Sequence, residues 1–248
     1  MKSMKGKNPE LSIILPTYKE KENLAVFVPQ IEAEFRNVPL EIIIVDDNSQ
    51  DGTRELLHKL NQIYHNVIFL ERPALLGIGS ALRDGYNKAR GEYILSSDAD
   101  SFITKDMRSM YEKIRTGFDL VLGYRVTYTS AHGGKPKHKT FIAWLETFVI
   151  SPLSNWIIRT MSGIRLKNYN TNFRIIRSST WKSILTTEDR QFFLFETIIR
   201  AKQKGAKIAE MPVVFYPRKF GESKVSFFRQ APKYLLKLIR YTFFDRLS

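Results

Sequence analysis

The stretch LEIIIVDDNSQDGTRELLHKL, residues 40–60, decides the fold. Leu40 to Val45 read as a short buried strand. Asp46 and Asp47 follow at once, and Asp51-Gly52-Thr53 then opens a helix carrying Leu56, Leu57 and Leu60. A strand, an acidic turn and an amphipathic helix in immediate succession form one unit of an alternating α/β chain.

The same unit recurs on both sides. LSIIL (11–15) is an apolar run stopped by Pro16, followed by Leu24, Phe27, Val28, Ile31 and Phe35 at helical spacing, with Pro29 expected to bend or delay that helix. VIFLE (67–71) is a third strand. GIGSALRDGYNKARG (77–91) is a helix opened by Gly77 and closed by Gly91. EYILSSDADSF (92–102) holds a fourth strand, ahead of a helix near 104–116 and the strand FDLVLG (118–123). Continuous apolar strands separated by amphipathic helices predict a mostly parallel sheet covered on both faces.

Such sheets take ligands at the carboxyl ends of their strands. Asp46 and Asp47 follow the second strand; Asp98 and Asp100 follow the fourth. Both acidic pairs therefore fall on the ligand edge. Asp46 reads as a buried structural acid and Asp51 as a turn and cap. Gly77 and Gly79 do not make a P-loop, since no Gly-Lys-Ser/Thr follows, and GIGSAL lacks the third glycine of a dinucleotide fingerprint. Helix opening and close packing explain them better.

The bulk numbers agree with one α/β domain, or one domain with an appendage. The chain has 248 residues, 43% of them hydrophobic, which is enough for a full core. It contains no cysteine, so disulfides, thiolate chemistry and cysteine zinc sites are excluded. His58, His65, His132 and His138 are scattered without metal spacing. The formal charge of +14 points to an anionic partner: nucleic acid, anionic lipid or a phosphorylated substrate. No nucleic-acid-binding motif accompanies that charge.

The second half changes character. From Tyr124 to Leu145 there is no acid, while Arg125, Lys135, Lys137 and Lys139 are present. FIAWLETFVISPLSNWIIRTM (141–161) is apolar, but Glu146, Pro152, Asn155 and Arg159 interrupt it, so it reads as a helix pair at an interface rather than a span. NTNFRIIR (170–177) is a strand, FFLFETIIRAKQKG (192–205) a helix and KIAEMPVVFYP (207–217) a strand. RKFGESKVSF is a basic loop, and an amphipathic helix follows Pro232.

LSIILPTYKEKENL, EIIIVDDNSQDGT, GIGSALRDGYNKARGEYILSSDAD, NFRIIR and RKFGESK occur in the order seen in dolichyl-phosphate mannose synthases. The chain resembles these family 2 glycosyltransferases of the GT-A fold from about Leu11 to Ser226. The resemblance implies an α/β, Rossmann-like GT-A domain over 1–226, with interfacial helices at about 141–163 and a C-terminal amphipathic, membrane-associated helix over 227–248. It also implies an inverting transfer of a hexose from a nucleotide sugar to a polyprenyl or dolichyl phosphate. GDP-mannose is the first expected donor and UDP-glucose the second; a sugar hydroxyl is the alternative acceptor.

The resemblance assigns Asp98 and Asp100 to a divalent metal, Mg²⁺ or Mn²⁺, which neutralises the diphosphate leaving group. Relatives often place a polar ligand two residues after the second aspartate, where this chain has Phe102. By the same resemblance Pro16, Tyr18, Glu20 and Asp47 line the nucleotide pocket, with Asp47 accepting a base N–H. Arg125, Arg174, Arg218 and Lys224 grip the phosphates of donor and lipid, and Arg174 and Arg218 count with the two aspartates as catalytic. Arg125, Arg174, Glu196 and Ser223 face the acceptor. Relatives commonly have a small pair before the arginine of NFRIIR, whereas this chain has Thr171 and Asn172. Asp189, in TTEDRQ, resembles the base of hydroxyl-transferring relatives, but a phosphate acceptor is already ionised and needs none.

Lys233, Lys237 and Arg240 recur on one helical face, and Leu236, Ile239 and Phe243 on another. This fits a helix lying in a headgroup layer or docked on its own domain. With Trp144 and Trp156 in the interfacial segment, the expectation is a peripheral enzyme on the cytoplasmic face of a membrane. Its expected partners are the nucleotide sugar and the polyprenyl phosphate, with a membrane-anchoring subunit as a further candidate and no nucleic acid.

Overall fold

A computed structural model describes residues 8–99, 103–127, 156, 159–160, 163–215, 237 and 240–241, without the side chains of 125, 127 and 215. Seven strands form one sheet: β1 (Leu11–Thr17), β2 (Leu40–Asp46), β3 (Val67–Glu71), β4 (Tyr93–Ser96), β5 (Leu120–Thr127), β6 (Arg174–Arg177) and β7 (Ile208–Phe215). Helices α1 (Lys21–Glu34), α2 (Thr53–Tyr64), α3 (Ile78–Lys88) and α4 (Thr104–Arg115) alternate with the first five strands. Two more helices, α5 (Ser178–Ser183) and α6 (Phe192–Gln203), lie between β6 and β7.

The strand order is β3-β2-β1-β4-β6-β5-β7. Every pairing is parallel except those of β6, which runs antiparallel to β4 and β5. The chain leaves β1 toward β2 and β3 on one side, and β4 lies on the other. The carboxyl ends of β1 and β4 therefore flank a topological switch point, where a crevice opens in sheets of this kind. Because β6 is reversed, it is its first residue, Arg174, that faces Ser96 at the end of β4.

Alternation along the strands fills two cores. Ile13, Leu15, Ile42, Ile44, Leu95 and Ile175 meet α1, α2 and α4 on one face. Ile14, Ile43, Val45, Ile94 and Ile176 meet α3, α6 and Trp181 on the other. Each such side chain contributes about 1.5–3 kcal/mol by leaving water. β1 passes through Pro16, which is in register with Val45, instead of stopping there. Helix α1 likewise continues through Pro29. The bond that Pro29 cannot donate would have gone to the carbonyl of Ala25, an exposed residue whose backbone oxygen can turn to water.

Candidate active site

The switch-point edge is built from five chain ends. After β1 come Tyr18 and Lys19. After β2, Asp46 accepts the backbone N–H of Ser49 at 2.8 Å and its hydroxyl at 2.6 Å. Ser49 Oγ in turn accepts the N–H of Lys19 at 2.7 Å, so the first two turns are bolted together through Asp46. Asp46 is thus the structural acid its position suggested, and Asp51 caps Thr53 through the backbone N–H at 3.2 Å.

Asp47 is buried beside the same turns. Its Oδ1 lies 2.5 Å from Arg72 Nη1, and its Oδ2 accepts the N–H of Gly77 at 3.2 Å. Burial pushes the Asp47 carboxyl above the usual range, and the Arg72 guanidinium holds it back down. A carboxylate offers about four lone-pair sites, so capacity remains for an N–H from a ligand. Arg72, only 5% exposed, also bonds Ser80 Oγ and approaches Asp84 at 3.3 Å. Sequence reasoning missed Arg72. The available signal was its place directly after β3, on the edge that carries the acids.

Pro16 and Tyr18 are half-buried at the end of β1, and Glu20 accepts a hydrogen bond from Asn23 in the first turn of α1. Gly77, at φ 106°, and Gly79 let the start of α3 press against residues 189–193. A Cβ on Gly77 would come within 2.7 Å of the Asp189 carbonyl oxygen, and one on Gly79 within 2.6 Å of the Arg190 oxygen. These glycines serve close packing, as their spacing implied.

After β4, Asp98 is half-buried and its Oδ1 accepts the side-chain N–H of Asn172 at 3.0 Å. Asn172 is 3% exposed, and its own Oδ1 is buried without a hydrogen-bond partner among the described residues. A carboxylate at the end of β4, on the ligand edge, is a donor that suits a hard divalent cation. Of the two aspartates assigned to such an ion, Asp98 is the one among the described residues. Asp100, Arg218, Ser223 and Lys224 lie outside the described residues, as does the side chain of Arg125, whose backbone pairs with Val213.

Two expected phosphate or acceptor contacts sit differently in the structure. Arg174 is 0% exposed. Its Nε and Nη1 donate to the carbonyls of Thr171 at 2.9 Å and Leu194 at 2.8 Å, and Nη2 also reaches Thr171. Burial pulls its pKa down to about 10. The guanidinium ties the turn before β6 to α6 and presents no free fork to a phosphate. Glu196 is also fully buried. It accepts the backbone N–H groups of Thr187 at 3.0 Å and Glu188 at 3.0 Å, and the hydroxyl of Tyr241 at 2.9 Å. It anchors a turn instead of lining an open pocket. Both side chains looked like site residues because their motif positions lie at the right edge, and sequence alone does not say how deep they sit.

Two of the three described residues in the C-terminal segment face the domain. Tyr241 is buried against Phe192 at 5.3 Å between ring centroids, and Lys237 pairs with Glu188. Arg240 is exposed. Trp156, in the interfacial segment, is 62% exposed. Among the described residues no helix is long and apolar enough to cross a membrane.

The model of the glycosyl transferase family 2 domain matches residues 12–185, and the chain belongs to that family. It is 29% identical over 219 residues to a dolichol-phosphate mannosyltransferase of Pyrococcus furiosus, covering 87% of this chain and 59% of that protein. It is 28% identical to a polyprenol monophosphomannose synthase of Mycolicibacterium smegmatis, covering 86% of this chain and 80% of that one. The chain thus spans less than two thirds of the Pyrococcus protein. Among solved structures it resembles glucosyl-3-phosphoglycerate synthase of Mycobacterium tuberculosis in complex with Mg²⁺ and UDP. The TM-score is 0.66 at 17% identity, over 93% of this chain and 79% of that one. The fold is that of the GT-A glycosyltransferases.

Proposed function

We propose that this chain is a metal-dependent, inverting hexosyltransferase that moves mannose from GDP-mannose to a polyprenyl phosphate at a membrane surface. The observation that carries the reading is the likeness to two enzymes named for mannosyl transfer to polyprenyl-type phosphates, each across more than 85% of this chain. The acidic ends of β2 and β4 support it from the side of the site. Asp47 receives the base, held in place by Arg72 and the Gly77 N–H. Asp98 and Asp100 would hold the divalent cation. The cation, when bound, offsets the charge that builds on the leaving nucleoside diphosphate.

The chemistry asks little of this chain in proton transfer. A phosphate monoester has its second pKa near about 6 and arrives as a nucleophile. Its oxygen forms a bond to the anomeric carbon as the bond from that carbon to the diphosphate breaks, which inverts the centre. No base is required, and the Asp189 carboxylate pairs with Arg83. The acid-free basic stretches, 124–145 and 223–244, supply cations for the two anionic reactants and for anionic lipid. Residues 1–226 carry the transferase, and 227–248 form the segment that meets the membrane, with Tyr241 as its tether to the domain.

The test is a donor panel on the purified chain, with Mg²⁺ or Mn²⁺, read by thermal shift and calorimetry. GDP-mannose should bind most tightly, and Asp47→Asn should weaken it. Preference for UDP-glucose would replace the donor; no metal-dependent binding of any nucleotide sugar would remove the reading.

A further inference from the structure

Asn172 has two polar ends with different fates. Nδ2 donates to Asp98 Oδ1 at 3.0 Å. Oδ1 is buried and has no hydrogen-bond partner among the described residues. An unsatisfied buried acceptor costs about 1–3 kcal/mol unless a ligand or water meets it. Flipping the amide is no cure, because it would set the oxygen against the Asp98 carboxylate and leave the NH₂ group unpaired instead. The arrangement is also held firmly. The Asn172 carbonyl accepts Ser96 Oγ at 2.7 Å, and Arg174 clamps the neighbouring Thr171 carbonyl at 2.9 Å.

The second observation is the neighbour: the other end of the amide is bonded to Asp98, the described carboxylate assigned to the cation. Among the described residues no group of three His, Asp or Glu side chains could hold a metal. A hard cation held by carboxylates beside a diphosphate completes its shell with neutral oxygens. Asparagine carbonyl oxygens are ordinary ligands for such ions.

We propose that Asn172 Oδ1 is an oxygen donor to the divalent cation that Asp98 would hold. This rests on the metal-dependent reading above and adds a ligand to it. One amide then does two things: its N–H fixes the orientation of Asp98, and its oxygen meets the ion. A neutral donor adds no negative charge, so the site should bind the cation well only when the diphosphate contributes oxygens too.

The experiment is a Mn²⁺ titration of the full chain with GDP, following free Mn²⁺ by electron paramagnetic resonance, with no sugar transfer involved. Asn172→Ala should weaken Mn²⁺ binding on the order of tenfold or more. Asn172→Asp keeps an oxygen and loses the N–H, and it should bind Mn²⁺ at least as tightly as the unaltered chain. Unchanged binding in Asn172→Ala overturns the proposal. So does an Asn172→Asp as weak as Asn172→Ala, because Asn172 would then act only through its N–H on Asp98. If Asn172→Ala does not fold, as judged by thermal unfolding, Asn172→Leu keeps the volume without either polar end and carries the same expectation. Asp98→Asn in the same titration separates the two levels. If it loses Mn²⁺ while Asn172→Ala does not, only the Asn172 ligand falls; if it too is unchanged, the metal-dependent reading falls.

Discussion

Tyr241 donates its hydroxyl to the buried carboxylate of Glu196 at 2.9 Å, and that carboxylate also accepts the backbone N–H groups of Thr187 and Glu188. The C-terminal segment therefore helps to hold the turn at 187–190. That turn meets the start of α3, where Ser80 N–H donates to the Asp189 carbonyl at 3.0 Å and Gly77 bonds Asp47. A tether at one end of the chain is linked by contacts to the expected nucleotide pocket at the other.

Tyr241→Phe keeps the ring on Phe192 and removes the hydroxyl. It should cost about 1.5–3 kcal/mol, the range for a hydrogen bond to a charged group, read as a lower melting temperature. Proteolysis within 184–191 should become faster. An unchanged melting curve and cleavage rate would show that Glu196 holds the turn without Tyr241.

Arg72→Gln removes the counter-charge from buried Asp47. Breaking a buried pair costs about 3–5 kcal/mol when one charge is left behind. The pH dependence follows from the direction of the Asp47 shift. Its folded pKa lies above its unfolded one, so Asp47 adds stability below its ordinary titration range and loses that contribution as pH rises through the raised value. Donor binding needs the ionised form. It should therefore fade on acidification at a higher pH than an ordinary aspartate would set, and Arg72→Gln should move that point higher still. Calorimetric GDP titrations across pH check this; a profile identical in both chains would separate Arg72 from Asp47.

Arg174→Lys should act on stability. Lysine cannot span the Thr171 and Leu194 carbonyls together, which leaves a buried acceptor unpaired at about 1–3 kcal/mol. For a chain of this size each kcal/mol lowers the melting temperature by about 2–4 °C. Arg174→Lys should also weaken Mn²⁺ binding indirectly, since the clamped turn carries Asn172. A loss of turnover with stability and metal affinity intact would restore Arg174 as a direct phosphate ligand.

Asp189→Asn should keep most of its transfer to a polyprenyl phosphate. Its carboxylate pairs with Arg83, and its backbone carbonyl, which the substitution spares, does the packing. Loss of turnover with donor binding preserved would favour a hydroxyl acceptor and a base at Asp189.

Much of this architecture was legible in the sequence. Strands β1 to β5 announced themselves as continuous apolar runs, and the helices between them forced a parallel sheet. The reversal of β6 was not legible, because RIIR is buried on both faces and burial does not encode direction. Helix α5 went unseen because SSTWKS has only six residues and one large apolar side chain. Within the site, the acids at the ends of β2 and β4 could be placed because the ends of apolar runs are visible. The depth of Arg174 and Glu196 could not, because a charged residue in an apolar run reads equally well as a ligand or as a buried tie. Asn172 could be flagged from sequence only as a departure from its relatives; its contact with Asp98 spans 74 positions and needs the fold.

The most direct measurement incubates the full chain with radiolabelled GDP-mannose, a polyprenyl phosphate and Mg²⁺, and follows label into the organic phase. The account predicts labelled lipid that requires both the acceptor and the cation. Asp98→Asn should reduce the rate on the order of 10²–10³-fold, the range seen when one electrostatic contact to a transition state is removed. Label that remains in water, or passes to a soluble sugar hydroxyl while the lipid stays unlabelled, would contradict it.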